Sequence, residues 1–327
     1  MEEDVISHPL TKQILDKYKE SSIIQIKHYK DVFCRSNQDF EIQKKVKNLI
    51  IARKNNNLIY KGAPVCQSFG NEHFYYTSSM MNCIYDCEYC YLQGMYPSAN
   101  VVVFVNIEDI FEEVKSLLKQ HPLYLCVSYD TDLASFEHLT GYTKKWIEFT
   151  KECNLKDEYN TLKIEIRTKS AHTNLWKSIK ASPEVILAYT MSPDVVISQY
   201  EHGTPGLSQR INSINTALDE GYKVRLCFDP IIYCSNFEEE YDIFFNTIFE
   251  NIDMSLIEDI SIGTFRISQD YLKNIRKNRV DSAVVNFPYV NVKGVYQYPE
   301  HIMDKTMDFV YKKLLKTISK DKIFIWR

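Results

Sequence analysis

From Phe74 onward, short apolar or aromatic runs alternate with amphipathic segments, and no other feature constrains the fold as tightly. Strand-like runs followed by helical periodicity are how βα units around a parallel sheet read. The pattern predicts strands over Phe74–Ser78, Tyr124–Ser128, Leu162–Thr168, Val185–Thr190, Val224–Phe228 and Ile257–Gly263. Helices are expected between them: Ile107–Lys119 capped by Asn106, Thr143–Cys153, and Leu207–Glu220 closed by Gly221. Six such repeats imply the α/β class, as a partial (β/α)6 TIM-type barrel. Residues 1–70 read as a helical N-terminal extension, with a periodic segment from Gln43 to Arg53 that brings together Lys44, Lys45, Lys47, Arg53 and Lys54. Residues 71–265 form the expected barrel, and residues 266–327 a short C-terminal appendage that caps it and shapes the substrate region. The chain's end, Tyr311–Arg327, reads as a helix end followed by a strand, Ile323–Trp326.

A chain of 327 residues that is 45% hydrophobic can bury a large core, so disorder is not expected. No apolar run approaches the roughly 20 residues of a membrane span. The start, Met-Glu-Glu-Asp, lacks the basic and apolar regions of a signal peptide, so a cytoplasmic protein away from membranes is expected. Nine cysteines, three of them within Cys83–Cys90, argue against a disulfide framework and for metal ligation. The formal net charge of -4 excludes a global basic field, so a nucleic-acid surface would have to be a local patch.

Sites in parallel α/β folds are built at the carboxyl ends of strands, which directs attention to the residues that follow each one. Cys83, Cys87 and Cys90 follow the first predicted strand with the spacing C-x3-C-x2-C. Three thiolates on a tight loop can hold three irons of a [4Fe–4S] cube and leave the fourth open to a small molecule. A zinc knuckle would want four ligands in paired spacings, and the nearest spare candidates, Cys66 and His73, form no such pair. Cys87 and Cys90 alone match a redox C-x-x-C pair, but Cys83 and the lack of a proline-rich context count against it.

With Tyr89 as the aromatic before Cys90, the loop resembles the signature of the radical S-adenosylmethionine (SAM) superfamily. The further landmarks are Tyr89-Cys90-Tyr91-Leu92-Gln93, Asp132-x4-Glu137-His138-Leu139-Thr140, Thr168-Lys169, Glu201-x-Gly203-Thr204 and Gly221-Tyr222-Lys223. Taken in order from about residue 75 to 235, they are similar to those of the spore photoproduct lyase family and its DNA-repair relatives. The resemblance implies a [4Fe–4S] cluster and SAM as cofactors, with Cys83, Cys87 and Cys90 as iron ligands. It implies SAM contacts at Thr131, Asp132, Lys169 and Ser192, with Asp229 near the adenosyl group. Tyr89 and Tyr91 are the implied tyrosines of hydrogen transfer. The implied partners are DNA carrying a thymine lesion and a reductase, flavodoxin or ferredoxin that donates electrons, and the chain is expected to act as a monomer.

Asp130 stands where the resemblance places the family's hydrogen-donating cysteine. A carboxylic O–H bond is too strong to quench a carbon radical, so Asp130 cannot fill the donor role; in a diverged relative acting on a different substrate it would serve as a general base or polar anchor. Tyr129, Cys126, Cys227 and Cys234 are the alternative donors, although Cys126 and Cys227 also read as core residues. The family's basic, aromatic hairpin corresponds to Phe287–Tyr298, which is aromatic but nearly uncharged. Phosphate contacts then fall to Lys273, Arg276, Lys277, Arg279 and the N-terminal basic segment, where a solvated helix face is the competing reading. Three functions are compatible with these residues: lesion repair, a diverged radical enzyme with another substrate, and a non-catalytic iron–sulfur carrier or DNA-binding scaffold.

Overall fold

The computed structural model describes residues 1–46, 48–63 and 66–326, so Lys47 of the predicted basic segment lies outside the described residues. The chain forms two compact units: Met1–Ile84 with Tyr96–Arg167, and Tyr85–Met95 with Thr168–Arg327.

In the first unit, β1 (Phe74–Thr77), β2 (Leu123–Cys126) and β3 (Leu162–Thr168) run parallel, with Phe74 opposite Tyr124 and Leu123 opposite Leu162. Every residue of β2 is buried, as expected of a parallel strand covered on both faces. The helix Ile107–Leu118 contributes Ile107, Ile110, Val114 and Leu118 to the core, and Tyr142–Asn154 contributes Trp146 and Ile147. Asn106 precedes the first of these helices but does not cap it with its side chain. Its amide instead accepts from the Lys54 backbone N–H and donates to the Lys54 carbonyl, both at 2.9 Å, closing a contact 52 residues apart.

The helical reading of Gln43–Arg53 is corrected. The helix ends at Lys45, and Leu49–Ala52 is a strand, parallel to Val101–Phe104, which in turn pairs antiparallel with Met80–Met81. Ile50, Ile51 and Ala52 are buried beside a partner strand that is buried throughout. Burial on a pleated surface outweighs the local helical periodicity.

In the second unit, β4 (Val185–Thr190), β5 (Lys223–Ile231) and β6 (Asp259–Thr264) are parallel, as the sequence predicts, and the expected C-terminal strand Ile323–Trp326 pairs parallel with β6. β5 continues past its predicted end at Phe228. Its register with β6 is interrupted between Phe228 and Ile231, so Pro230, which has no N–H to donate, falls at the irregularity. Gly221 adopts φ +83° after the helix Leu207–Asp219, the left-handed conformation expected of a C-terminal glycine. Val290–Val292 and Val295–Gln297 form a hairpin that pairs with Arg266–Ser268. Its neighbours Phe265, Tyr289 and Tyr298 are buried in the unit's core. No helix among the described residues is long and apolar enough to cross a membrane.

Candidate active site

The cysteine loop is shaped by its own backbone. Asn82 takes φ +66° just before Cys83, and its buried side chain donates to the carbonyls of Ser98 and Asn100, both at 2.7 Å. Cys87 lies in the two-residue strand Asp86–Cys87, which pairs antiparallel with Glu201–His202 and sets Cys87 opposite Glu201. The Cys90 N–H donates to the Cys87 carbonyl at 3.0 Å, and Gln93 Nε2 donates to the same oxygen at 2.6 Å. Cys87 is buried and Cys83 and Cys90 are half-buried; among the described residues none of the nine cysteines forms a disulfide. No three His, Cys, Asp or Glu side chains among the described residues meet where a single metal ion could sit. A cube makes a different demand, one thiolate on each of three irons, and the loop's donor set fits it.

Tyr89, between Cys87 and Cys90 in the chain, is buried and donates its hydroxyl hydrogen bond to Glu201. Burial first, and then the Glu201 carboxylate, push the Tyr89 hydroxyl well above the ordinary tyrosine range. Lys169 Nζ lies 5.2 Å from the Tyr89 ring centroid and 3.9 Å from Glu201 Oε1. Ser192 Oγ donates to Glu201 Oε1 at 2.8 Å, while Arg210 holds Glu201 Oε2 at 2.5 Å. Burial alone would raise the Glu201 pKa. Lys169 and Arg210, with hydrogen bonds from Tyr89 and Arg210, overcome it and hold the carboxyl at about 2. Tyr91 is half-buried and packs against the same core cluster as Tyr89.

Thr131 and Asp132 are buried on the loop after β2. Asp132 accepts from the Ser135 N–H at 3.2 Å and its carbonyl accepts from the Ser135 hydroxyl at 2.6 Å, which starts the short helical turn Ala134–Phe136. Thr131 Oγ1 is buried with no hydrogen-bond partner among the described residues, the state of a hydroxyl that a polar ligand would satisfy. Asp229 receives both guanidinium nitrogens of Arg266, at 3.1 and 3.3 Å. Gly263 makes room for this pair, since a Cβ there would stand 2.9 Å from Arg266 and 3.0 Å from Asp229.

Asp130 is buried and accepts from the Ser78 hydroxyl. Burial raises its pKa, and Ser78, Tyr96 and Lys54 offset part of the rise. Burial also pushes the thiols of Cys126 and Cys234 up, to about 12 and about 11. Cys227 is fully buried, so all three of these thiols lie in cores. Cys66, considered from sequence only as a zinc ligand, has its sulfur 3.4 Å from the Tyr129 hydroxyl, and the Tyr129 ring stacks on Tyr76 at 4.1 Å. Glu201 and Arg210 were likewise not singled out as site residues. The Glu201-x-Gly203-Thr204 run was the available signal, because it begins in the segment that pairs with the cysteine loop.

Among the proposed phosphate contacts, Arg276 donates to the carbonyls of Val285 and Phe287, and Arg279 to Asp86 and Gln93. Both are therefore engaged inside the second unit, and Lys273 and Lys277 are the exposed pair.

Comparisons with known proteins agree with one another. The family model described as spore photoproduct lyase matches residues 1–283. The spore photoproduct lyase of Bacillus subtilis (strain 168) is 26% identical over 250 residues, covering 72% of this chain and 69% of the relative. That of Clostridium acetobutylicum is 28% identical over 166 residues, covering 49% of this chain and 47% of the relative. A solved spore photoproduct lyase double mutant with bound AdoMet and dinucleoside spore photoproduct matches with a TM-score of 0.82 at 18% identity, over 100% of this chain and 96% of its own. A complex with dinucleoside spore photoproduct matches at 0.81 and 19% identity over the same shares. The likeness shows the fold, the α/β partial barrel expected from the strand pattern.

Proposed function

The chain belongs to the spore photoproduct lyase family and is a radical SAM lyase, and on that premise we propose that it repairs a thymine-derived lesion in DNA. The observation that carries this reading is the gathering of Tyr89, Lys169 and Ser192 on one buried carboxylate beside Cys87. Relatives bearing the lyase name, and solved structures holding AdoMet and the dinucleoside spore photoproduct, support it.

In this reading Cys83, Cys87 and Cys90 hold three irons of a [4Fe–4S] cluster, and Thr131, Asp132, Lys169, Ser192 and Asp229 hold SAM. Cluster and SAM together supply, when bound, a 5′-deoxyadenosyl radical able to take a hydrogen from the lesion. The protein's part is orientation and exclusion of water. In the second unit the Ser192 hydroxyl and the Lys169 ammonium would fix a polar ligand, in the first the buried Thr131 hydroxyl would do so, and the buried surroundings of Tyr89 keep solvent away. The repaired carbon radical then needs a hydrogen from a weak bond. A thiol S–H supplies one and leaves a thiyl radical; a tyrosine O–H can restore the thiol, leaving a tyrosyl radical that takes a hydrogen atom from 5′-deoxyadenosine or an electron and a proton from the electron donor. Cys66 is the thiol assigned here, on the strength of its contact with Tyr129, the residue before Asp130. Tyr89 and Tyr91 are assigned to the same hydrogen transfer.

A second reading, a diverged enzyme of the family acting on another substrate, is favoured by Asp130, a carboxylate bonded to Ser78 where the resemblance calls for the donor thiol. Anaerobic reconstitution with iron, sulfide, SAM and dithionite tests both. 5′-Deoxyadenosine is expected, and its absence sinks both readings. With dinucleotide spore photoproduct the repair reading expects TpT, whereas SAM cleavage without TpT favours the second. Cys66→Ala should keep SAM cleavage and lose most of the TpT; full TpT yield removes Cys66 from the role.

A further inference from the structure

Four stretches of the second unit end on Glu201. Its side chain is closed to solvent, and its two oxygens divide the work. Oε2 belongs to Arg210, which is itself anchored by the carbonyls of Thr190 at 3.0 Å and Pro205 at 2.9 Å and by the Thr204 hydroxyl at 2.8 Å. That pairing would satisfy a purely structural ion pair. Oε1 instead takes Tyr89 from the cysteine loop and Ser192 from the end of β4, with Lys169 close by. The backbone repeats the connection: Glu201 lies opposite Cys87 in the strand pair, and the Glu88 N–H donates to the Tyr200 carbonyl at 2.9 Å. His202 next to it meets Glu88 at 2.7 Å.

We infer that Glu201 is a positioning residue that registers the cysteine loop against Lys169 and Ser192 before any cofactor arrives. The inference deepens the SAM-binding reading above and rests on it only for the identity of the ligand those residues face. Its physical basis is preorganisation: groups whose rotamers are locked by a shared buried partner lose little freedom when a ligand binds. Glu201 touches no substrate in this assignment and acts through Tyr89, Lys169 and Ser192.

The test begins with cofactor-free protein, so that it does not depend on lyase activity. In Glu201→Gln, amide hydrogen exchange across residues 85–95 should quicken about tenfold while β5 and β6 exchange as before. In the reconstituted enzyme, iron content should hold while the KM for SAM rises about tenfold and kcat changes less. Unchanged exchange in residues 85–95, an equal rise in β5 and β6, or an unchanged KM overturns the inference. Should loss of one buried charge prevent folding, the charge-balanced pair Glu201→Gln with Arg210→Met removes both members of Glu201's closest ion pair and is read by the same criteria. Failure to form 5′-deoxyadenosine in the wild-type protein would count against the function proposed above, and the exchange result would still decide the role of Glu201.

Discussion

Lys54 is only 8% exposed, donates to the Ser78 carbonyl at 3.0 Å and lies 4.9 Å from the Tyr60 ring centroid. Burial lowers its pKa to about 8, with Asp130 and Glu113 opposing. The unfolded chain therefore binds more protons than the native one between pH about 8 and the ordinary lysine value of 10.5. Across that window the lysine's unfavourable contribution is relieved as pH rises, by on the order of 3 kcal/mol at most. Urea unfolding of wild type and Lys54→Met should show wild type gaining stability relative to the variant from pH 8 to 10.5; a constant difference would contradict this account. The same cluster shows what is hidden at single-residue scale. Asp130 is visible in the sequence as a departure from the family pattern, whereas its bond to Ser78 joins residues 52 apart. Cys66 and Tyr129 are 63 apart, and neither neighbourhood announces the other.

The short helix Leu92–Met95, which continues the cysteine loop, packs on the helix Gln269–Asn278. Asn274 Nδ2 donates to the Gly94 carbonyl at 3.0 Å. A Cβ at position 94 would overlap the Tyr271 carbonyl, a backbone group that cannot swing aside. Gly94→Ala should therefore cost about 1–3 kcal/mol, read from the denaturation midpoint, and an unchanged midpoint would show that the two helices can part without penalty. Elements of this length were unevenly legible. All six predicted strands are present because each is a short apolar, aromatic or alternating stretch, as Leu162–Thr168 is, a pattern held within a few positions. Leu49–Ala52 was missed because four residues carry no period of their own, and pairing with Val101–Phe104 decides their state. Asn106 stands at the N-cap position, as read, but its side chain makes no capping bond, because Lys54, far away in the chain, offers it partners.

Across the whole molecule the formal charge is -4, so attraction to DNA must come from few groups. With Arg276 and Arg279 engaged internally, Lys273 and Lys277 are the exposed cations of that helix. If they contact phosphates, replacing both by Ala should flatten the dependence of log Kobs on log salt by about 2, since each phosphate neutralised contributes roughly -0.9 to the slope. An unchanged slope would place the phosphate contacts elsewhere. The amino-acid sequence by itself determined the βα repeat and the C-x3-C-x2-C loop, because both are patterns of neighbouring residues that local geometry can express. Only the tertiary structure decided that Tyr89, Ser192, Lys169 and Arg210 gather on Glu201, that Cys66 meets Tyr129, and that two arginines turn inward. Those contacts join residues 9 to 193 positions apart. Such pairings come into being when buried charges and hydroxyls, cut off from water, find partners that chain proximity does not specify.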